Sequence, residues 1–409
     1  MRWVALSPHP PVRKVPVPIM KIAIYHPWIY VKSGLERTIM EIKSRSRHDW
    51  VIYTSHYSPD GTYPELKSMG VVELGKVSVQ RRYGAVLAAA WRIARTRLDS
   101  SAHDAVLVCC DGLGSFINFR NGDKPLACLC FTPLRAVYDS EYKKRHLARY
   151  GWKRPLLSAF EFGYRLIDKL AWRRYQHAFC ITETVKKRVT DGGLFPAARI
   201  EIAHAGISGE RIEPSDVFEP FFFLPGRIMW TKNIELGIAA FKALHARGGR
   251  DIELVVAGMV DRKSEAYLEK LRELAQGAPI RFETNLTDAQ MRDYYRRCHA
   301  TLFTAFNEDQ GLTPLEAGTY GKPVVAVNRG GPTEMIRDGV SGYLVEPEPE
   351  AFADAMQRLL DDPEHARRLG LGGAERCRLF TWEAFVEKID AYFDTLQAHS
   401  AREPAADPR

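Results

Sequence analysis

Short apolar runs alternate with stretches of helical hydrophobic spacing from Lys21 onward. Near-continuous apolar runs separated by helices are typical of parallel sheets that helices cover on both faces. The first half therefore predicts a doubly wound α/β domain. Its seven predicted strands are KIAIYHPW (21–28), WVIYTSHY (50–57), VVELGKV (71–77), DAVLVCC (104–110), KPLACLCF (124–131), AFCIT (178–182) and IEIAHA (200–205).

The second half repeats this pattern after a polar stretch, residues 208–220, that contains Pro214 and Pro220 and is the predicted linker. We predict an α/β protein of two Rossmann-like domains, residues 21–215 and 216–380, with a ligand-binding cleft at the carboxyl ends of their strands. The second set of strands is FFFLPGRI (221–228), IELVVAG (252–258), PIRFETN (279–285), ATLFTAF (300–306), PVVAVN (323–328) and GYLVEP (342–347).

The two ends of the chain lie outside this pattern. Residues 1–20 contain five prolines and no continuous apolar segment, so we predict a disordered extension rather than a secretory signal, with Met20 as an alternative start. Residues 381–396 have helical hydrophobic spacing and are predicted to pack back toward the first domain, and residues 397–409 form a loose tail.

Composition indicates a globular protein in a reducing compartment. The chain has 409 residues, of which 45% are hydrophobic and 26% charged, and it contains no apolar run of 18 residues. Its seven cysteines include no C-x-x-C pair, so neither a zinc site nor a disulfide framework is expected. We therefore expect buried free thiols and a cytoplasmic location.

Charge divides the chain into a basic and an acidic half. Residues 1–200 carry 33 Lys and Arg against 16 Asp and Glu, a net of +17, whereas residues 201–409 carry 25 against 34, a net of −9. A nucleic acid, an anionic membrane surface or a phosphorylated acceptor would each suit the basic half, and so would solvated surface charge. No nucleic-acid module is recognisable, so we expect no nucleic-acid partner.

One predicted helix in the basic half, within residues 155–178, combines apolar positions with a basic stripe. Two interpretations stay open: a helix packed on the first domain, or a helix on the inner face of the plasma membrane. The apolar positions are Leu156, Phe160, Tyr164, Ile167 and Ala171, and the basic stripe is Arg165, Lys169 and Arg173, near Trp172.

The segment most informative about chemistry begins at Asn307, after a predicted strand. Thr313 is a predicted helix N-cap and Pro314 suits the first helical position, so the backbone N–H groups of Leu312 and Thr313, after Gly311, would be free. A helix start with an approachable glycine is an anion site that suits a diphosphate.

Two glutamates lie on either side of this turn, Glu308 and Glu316. A carboxylate accepts two hydrogen bonds from neighbouring hydroxyls, which suits a ribose or the edge of a hexose. The alternative for Glu316 is purely local, because Thr313-x-x-Glu316 is also the pattern of a capping box.

Two cations follow the first predicted strand of the second domain. Arg227 and Lys232, in GRIMWTKN, could reach the cleft and neutralise a diphosphate leaving group without a divalent metal. No D-x-D motif occurs in the chain, so we expect no metal and no other cofactor. The alternative is that both cations are ordinary surface residues.

The order of these motifs resembles the second domain of family-four retaining glycosyltransferases of the GT-B fold. G-R-x4-K-N precedes E-D-Q-G-L-T-P-L-E, which is followed by G-K-P-V-V-A, G-G-P-T-E and D-G-V-S-G-Y-L-V. The E-x7-E pair is the hallmark of that family. The resemblance covers about residues 21–396. Within the family, the chain resembles bacterial mannosyl and hexosyl transferases of polysaccharide or glycolipid assembly.

The resemblance implies roles for these residues. Arg227 and Lys232 would hold the donor diphosphate, Glu316 the ribose hydroxyls, and Glu308 would lie by the transferred sugar. Backbone N–H groups near Gly311, Leu312 and Thr313 would aid the β-phosphate. In the first domain Gly34 would approach the phosphates or the acceptor, or would simply form a turn.

CFTPLRAVYD, residues 130–139, resembles the H-T-P-x-R segment of mannosyl and related transferases. Phe131 stands where that family has a histidine near the donor sugar, and phenylalanine can neither donate nor accept that hydrogen bond. This substitution argues against mannose specificity. Thr132 and Arg135 are the remaining candidates for sugar or acceptor contact.

The resemblance thus implies a retaining, metal-independent transferase that moves a sugar from a UDP-, GDP- or ADP-linked donor to a saccharide or lipid-linked acceptor. Two other functions stay open: a non-catalytic nucleotide-sugar-binding scaffold and a nucleotide-sugar epimerase of the GT-B fold.

Overall fold

The structure is a computed structural model, and it describes residues 18–79, 83–148, 154–207, 213–248 and 251–400. Most of the predicted N-terminal extension, residues 208–212 of the predicted linker and residues 401–409 of the predicted tail lie outside the described residues.

Seven parallel strands form the first sheet, in the order β3-β2-β1-β4-β5-β6-β7. Five of the seven lie within the predicted runs, β2 and β6 each begin one residue before theirs, and every strand is shorter than its run. The strands are β1 (Lys21–His26), β2 (Asp49–Thr54), β3 (Val71–Glu73), β4 (Ala105–Cys110), β5 (Leu126–Cys130), β6 (His177–Cys180) and β7 (Ile200–Ile202).

The second sheet has six parallel strands in the order β10-β9-β8-β11-β12-β13. In both sheets the order reverses beside the first strand of the domain, and ligands of open α/β sheets bind at such a reversal. The strands are β8 (Phe221–Pro225), β9 (Glu253–Gly258), β10 (Ile280–Thr284), β11 (Ala300–Phe303), β12 (Val324–Val327) and β13 (Tyr343–Val345).

Helices connect the strands and cover the sheets. Those of the first half are α1 (Gly34–Arg45), α2 (Glu65–Ser68), α3 (Tyr83–Arg95), α4 (Arg135–Tyr138), α5 (Ser140–Ala148), α6 (Arg154–Trp172) and α7 (Glu183–Asp191). Those of the second half are α8 (Ile234–Ala246), α9 (Glu265–Ala275), α10 (Asp288–Arg297), α11 (Thr313–Thr319), α12 (Pro332–Met335), α13 (Pro349–Asp361), α14 (Pro363–Cys377) and α15 (Trp382–Ser400).

The last helix belongs to the first domain in space although it follows the second in sequence. Ile207 pairs with Thr381 in an isolated parallel bridge, and α15 then buries Trp382, Phe385 and Phe393 in the core under the first sheet. Arg45 in α1 forms an ion pair with Glu383 at the start of this helix. The chain therefore crosses between the two domains twice.

The linker segment is held by one buried cation. Lys322, in the motif G-K-P, is fully buried and donates hydrogen bonds to the carbonyls of Ser215 and Val217. Its Nζ also lies 3.7 Å from the centre of the Phe218 ring. The side chain thus fixes the polar segment to the second domain instead of contributing to a binding site.

Two doubly wound parallel sheets, each with its own core, confirm the predicted fold class. Within the described part of the chain, no helix combines the length and apolar character needed to cross a membrane.

Candidate functional site

The ends of two strands of the second domain are in close backbone contact at two glycines, Gly226 and Gly258. The chain turns after β8 at Gly226, whose φ is +151°. A Cβ on Gly258, at the end of β9, would lie 1.8 Å from the Gly226 carbonyl oxygen, so no larger residue fits there. Arg227 follows this crossing, is exposed, and makes no hydrogen bond or ion pair with the described residues.

Lys232 and Glu308 form an ion pair at the same edge of the sheet. The Nζ atom of Lys232 lies 2.7 Å from Oε2 of Glu308, and both side chains are mostly buried. Burial works to raise the pKa of Glu308, but the charge and hydrogen bond of Lys232 outweigh it. The more distant charges of Arg135 and Arg227 act in the same direction, so the pKa of Glu308 lies below its ordinary value.

Residues 307–310, which we call the Glu308 loop, are held by the first domain on both sides of Glu308. The Asn307 amide donates to Asp139, the Asp309 carboxylate accepts from Arg188, and the Gln310 amide donates to the Ala205 carbonyl. Glu308 alone in this loop points its side chain at a second-domain cation. Contacts between the domains therefore position the glutamate.

Two glycines, Gly330 and Gly331, pack against the backbone of the Glu308 loop. The N–H of Gly331 donates to the Glu308 carbonyl at 2.8 Å. A Cβ on Gly331 would lie 2.2 Å from the Gln310 carbonyl oxygen, and one on Gly330 would lie 2.5 Å from that of Glu308. The G-G of G-G-P-T-E thus lets two backbone segments touch.

Gly311 adopts a left-handed conformation, with φ of +75°, and a Cβ there would lie 2.9 Å from the Phe303 ring. The following helix α11 has only seven residues. Its N-cap is Leu312, without a side-chain hydrogen bond, so the prediction of Thr313 as N-cap was wrong. Leu312 and Thr313 are half-buried beside Gly311 at this helix start.

The capping-box interpretation of Glu316 is also wrong, because no side chain caps α11. Glu316 instead accepts a hydrogen bond from the buried hydroxyl of Tyr295 at 2.6 Å. Glu316 is an exposed residue overall, but the protein around its carboxyl raises the pKa, while Tyr295, Lys232 and Arg37 act in the opposite direction. Lys232 therefore influences both glutamates of the E-x7-E pair.

Gly34 is the first residue of α1, after the N-cap Ser33, and is not at a left-handed turn. A Cβ there would meet nothing within 4 Å, so neither backbone conformation nor packing demands glycine. Arg37, one turn later, lies close enough to Glu316 to lower its pKa. The start of α1 therefore faces the candidate site across the cleft.

Two residues of the segment that resembles H-T-P-x-R form hydrogen bonds at the domain interface, one directly with the second domain and one with Arg188 of the first. Arg135 donates to Asp139 at 2.9 Å and to the Asn307 carbonyl at 2.9 Å, and Thr132 accepts from Arg188 at 2.8 Å. Phe131 is half-buried and packs against both cores of the first domain. In the free protein, Thr132 and Arg135 thus already form hydrogen bonds with other residues of the chain.

Arg188 and Asp139 are the main residues of this interface that the sequence prediction missed. Asp139 is almost fully buried and accepts from Arg188 at 3.2 Å, while its other oxygen caps α5 through the N–H groups of Glu141 and Tyr142. Arg188 also forms the ion pair with Asp309. No local sequence signal marks these residues, because their partners are distant in the chain.

A second contact between the domains involves the glutamate of G-G-P-T-E. Glu334 accepts from the backbone N–H groups of Glu183 and Thr184, at 2.8 and 3.1 Å, and so caps α7 of the first domain. His204 lies 3.1 Å from the same carboxylate. Burial works to raise the pKa of Glu334, but these partners outweigh it and lower the pKa.

A cavity of about 300 Å³ borders the candidate site. It shares Asn233, which follows Lys232, and Asn307, which precedes Glu308. Arg145 of the first domain and Arg329 of the second also line it. This volume is at the lower end of the range for small-molecule sites, so the cavity itself has room for only part of a nucleotide-sugar.

The cysteines include a cluster that the spacing did not predict. Cys110, Cys128 and Cys130 are fully buried on β4 and β5, and their sulfur atoms lie within 4.8 Å of one another. Such thiols could offer ligands to a soft metal ion. They lie in the apolar core of the first domain, where small buried thiols also pack well as apolar groups.

Residues 210–376 match the family model for glycosyl transferases group 1. The chain is 30% identical over 207 residues to the alpha-1,3/1,6-mannosyltransferase ALG2 of Dictyostelium discoideum, which covers 46% of this chain and 49% of that protein. Its match to mouse ALG2 is weaker, at 25% identity, but covers 89% of this chain and 93% of the relative. The stronger match thus spans about half the length of the curated relative.

Among solved structures, the fold is similar to Anabaena HepE in complex with UDP and glucose. The TM-score is 0.70 at 15% identity, over 92% of this chain and all of the other. Identity at this level supports the fold alone. The resemblance inferred from the motifs is confirmed by the family match, which includes Arg227, Lys232, Glu308 and Glu316.

Proposed function

The second domain of this chain belongs to the group 1 glycosyl transferases, and from that premise we propose that the protein transfers a sugar from a nucleoside-diphosphate donor. The acceptor is a hydroxyl of a saccharide or a lipid-linked saccharide, in the synthesis of a polysaccharide or glycolipid. The buried free thiols favour a cytoplasmic location for this reaction.

The observation that carries the proposal is the arrangement of Arg227, Lys232 and Glu308 at one edge of the second sheet. The guanidinium is exposed and unpaired among the described residues, and the ammonium is held in place by the carboxylate at 2.7 Å. A diphosphate at this edge would meet two positive charges where open α/β sheets bind ligands.

Glu308 has two parts in the proposal. In the free protein it holds Lys232 by their hydrogen bond. With the donor bound, Lys232 turns toward the diphosphate, and the carboxylate is then free to accept hydrogen bonds from the transferred sugar. In the free protein, Lys232 lowers the pKa of Glu308 below its ordinary value and keeps the carboxyl ionised.

Glu316 would bind the ribose hydroxyls with the carboxylate oxygen that Tyr295 does not use. Backbone N–H groups near Gly311, Leu312 and Thr313 would contribute to binding of the β-phosphate. Because α11 is short, we assign most of the charge stabilisation to the two side-chain cations rather than to a helix dipole. Gly34 would approach the phosphates or the acceptor from the first domain.

In the proposed reaction the bond between the anomeric carbon and the β-phosphate oxygen breaks, and its electron pair stays on the phosphate. Arg227 and Lys232 stabilise the negative charge as it develops, a role that a divalent metal plays in other enzymes. The acceptor oxygen attacks the same face of the sugar and gives its proton to the departing phosphate oxygen. The anomeric configuration is therefore retained without a protein nucleophile.

Two observations point to different donor sugars. The names of the ALG2 relatives favour mannose, whereas Phe131 replaces the histidine that the mannosyl family carries. We propose a hexose donor and expect Phe131→His to change the preference among hexoses rather than the transfer itself, because residue 131 would meet the sugar and not the diphosphate.

A donor screen tests this function. Thermal unfolding with UDP-, GDP- and ADP-linked hexoses should show stabilisation by one donor, about 2.7 kcal/mol at a hundred times its dissociation constant. Lys232→Ala should lose that stabilisation, and Lys263→Ala, an exposed lysine of the same domain, should keep it. NMR of the product anomer then tests retention. Stabilisation by no donor, or an inverted product, would contradict the proposal.

A further inference from the structure

Helix α6 has two apolar faces, of which only one is buried. Tyr164, Ala171 and Trp172 pack in the core of the first domain. A second row with four-residue spacing points to solvent, and its exposed fractions are 67% for Phe162, 52% for Leu166 and 51% for Leu170. The spacing places these three side chains on one side of the helix.

This row differs from the predicted one. Of the five predicted apolar positions, Tyr164 and Ala171 are buried, Ile167 is 47% exposed, and the side chain of Leu156 lies outside the described residues. Both alternatives for this helix are therefore compatible with the structure, since packing on the domain uses one face and leaves the other apolar face free.

Helix α3 adds to the same surface. Its Leu87 is 56% and its Trp91 is 65% exposed, while Ala89 and Ile93 on the other side are buried. Both α3 and α6 pack on the 3-10 segment Leu113–Arg120 and bury their inner faces in one core cluster. Their outer faces therefore lie on the same side of the first domain, and we call these five exposed side chains of α3 and α6 the outer apolar face.

The charges around the outer apolar face are positive. Arg92 and Arg95 of α3 and Arg165 of α6 are exposed, and Arg95 lies over the Trp91 ring at 5.2 Å. The two acidic residues of these helices do not offset them: Glu161 is buried and paired with Lys143, and Asp168 is buried.

We propose that the outer apolar face binds the surface of an anionic lipid bilayer. Exposed aromatic and aliphatic side chains enter the headgroup region, and the arginines around them bind the anionic lipids. A second copy of the chain fits less well, because two such faces would bring arginines against arginines. An acidic protein would neutralise the arginines. A membrane is the better partner, because its apolar interior can also bury the tryptophan and the four other apolar side chains of this face.

The outer apolar face lies near the edge of the cleft, so membrane binding there would bring the cleft close to the membrane. Arg165 lies over the Tyr138 ring at 5.4 Å, and Tyr138 ends the short helix α4, whose first residue, Arg135, contacts the Glu308 loop. A membrane on the outer apolar face would therefore lie beside the edge of the cleft. On the proposed function, this is where a lipid-linked acceptor would enter.

Vesicle sedimentation of the full chain tests the proposal. The chain should bind vesicles of phosphatidylcholine with phosphatidylglycerol much more tightly than phosphatidylcholine alone, and added salt should weaken binding. Trp91→Ser with Phe162→Ser should weaken binding at least about tenfold because both apolar anchors are lost. Arg95→Gln with Arg165→Gln should weaken it by about fivefold for each charge removed.

The matched controls are Leu371→Ser and Leu379→Ser, which change equally exposed leucines of the second domain and should bind like the unchanged chain. Donor stabilisation should be the same in all these variants, so failure of membrane binding is distinguishable from failure of the proposed function. Absence of salt-sensitive binding, equal loss in the controls, or self-association that Trp91→Ser abolishes would each overturn the proposal.

Discussion

Arg188 in α7 of the first domain forms an ion pair with Asp309 of the second domain, one residue from Glu308. The arginine is almost fully buried, and it also contacts Asp139 and Thr132 of its own domain. The pair thus joins the segment that resembles H-T-P-x-R to the Glu308 loop. The Arg188 guanidinium therefore couples the contact between the two domains to the position of Glu308.

We expect Arg188→Gln to lower the free energy of unfolding by about 3–5 kcal/mol, because it removes the arginine partner of Asp309 and one of the two arginines paired with the buried Asp139. It should also loosen the cleft, so that water reaches the donor and hydrolysis without acceptor increases relative to transfer. Thermal unfolding and a comparison of hydrolysis with transfer measure the two effects.

Lys187→Ala is the matched control for this change, since Lys187 is exposed in the same helix and, among the described residues, pairs only with the exposed Asp191. It should alter stability by at most ~0.5 kcal/mol. An Arg188→Gln variant with unchanged hydrolysis and stability would show that the ion pair does not hold the domains closed.

The Glu334 carboxylate predicts a pH dependence of stability. Its pKa is lowered in the folded chain, so the unfolded chain binds more protons as the pH falls through the range of the two pKa values. The contribution of Glu334 is therefore complete above its ordinary pKa of 4.5 and is lost as the pH falls through the lowered folded value.

Glu334→Gln should cost about 1.5–3 kcal/mol at pH 7, because hydrogen bonds to a charged group are lost. Denaturant unfolding between pH 7 and pH 3 measures this difference, which should shrink below pH 4.5. A difference that stays constant over this range would contradict the role of the carboxylate at the start of α7.

Gly331→Ala tests the support beneath the Glu308 loop. The added Cβ meets backbone atoms of Gln310, which cannot give way without moving the loop. We expect a loss of about 1–3 kcal/mol of stability and a larger loss of kcat than of donor affinity, since Glu308 moves more than Arg227 does. Steady-state kinetics and thermal unfolding measure the two losses.

Gly163→Ala is the control, because a Cβ at Gly163 would meet nothing within 4 Å and alanine favours the helix. It should unfold at the same temperature as the unchanged chain or slightly higher. Equal behaviour of the two variants would mean that the close contact between residues 310 and 331 has no part in positioning Glu308.

The sequence predicted the fold well because parallel strands buried on both faces leave a strong local signal, as in VVAV at residues 324–327. It failed at Thr313, where a capping pattern was present but the Glu316 side chain bonds Tyr295 instead. The Glu316 carboxylate therefore bonds a residue that is distant in the sequence, Tyr295, instead of the backbone at the start of its own helix.

The contacts between the domains could not be predicted from local patterns. Arg188 and Asp309 are 121 positions apart, and nothing near either residue marks its partner. The motifs likewise placed Thr132 and Arg135 near the site but gave no sign that Arg135 bonds the second domain, or that Thr132 bonds Arg188, which also contacts that domain. Only the packing of one domain on the other decides such contacts.

We propose that Arg227 and Lys232 take the place of a metal ion at the donor diphosphate. The most direct test of this proposal is the single-turnover rate of transfer for the unchanged chain, Arg227→Ala and Lys232→Ala, each with and without EDTA. We predict a loss of about 10²–10³-fold for each variant and no effect of EDTA. Full inhibition of the unchanged chain by EDTA, with restoration by a divalent cation, would contradict the account.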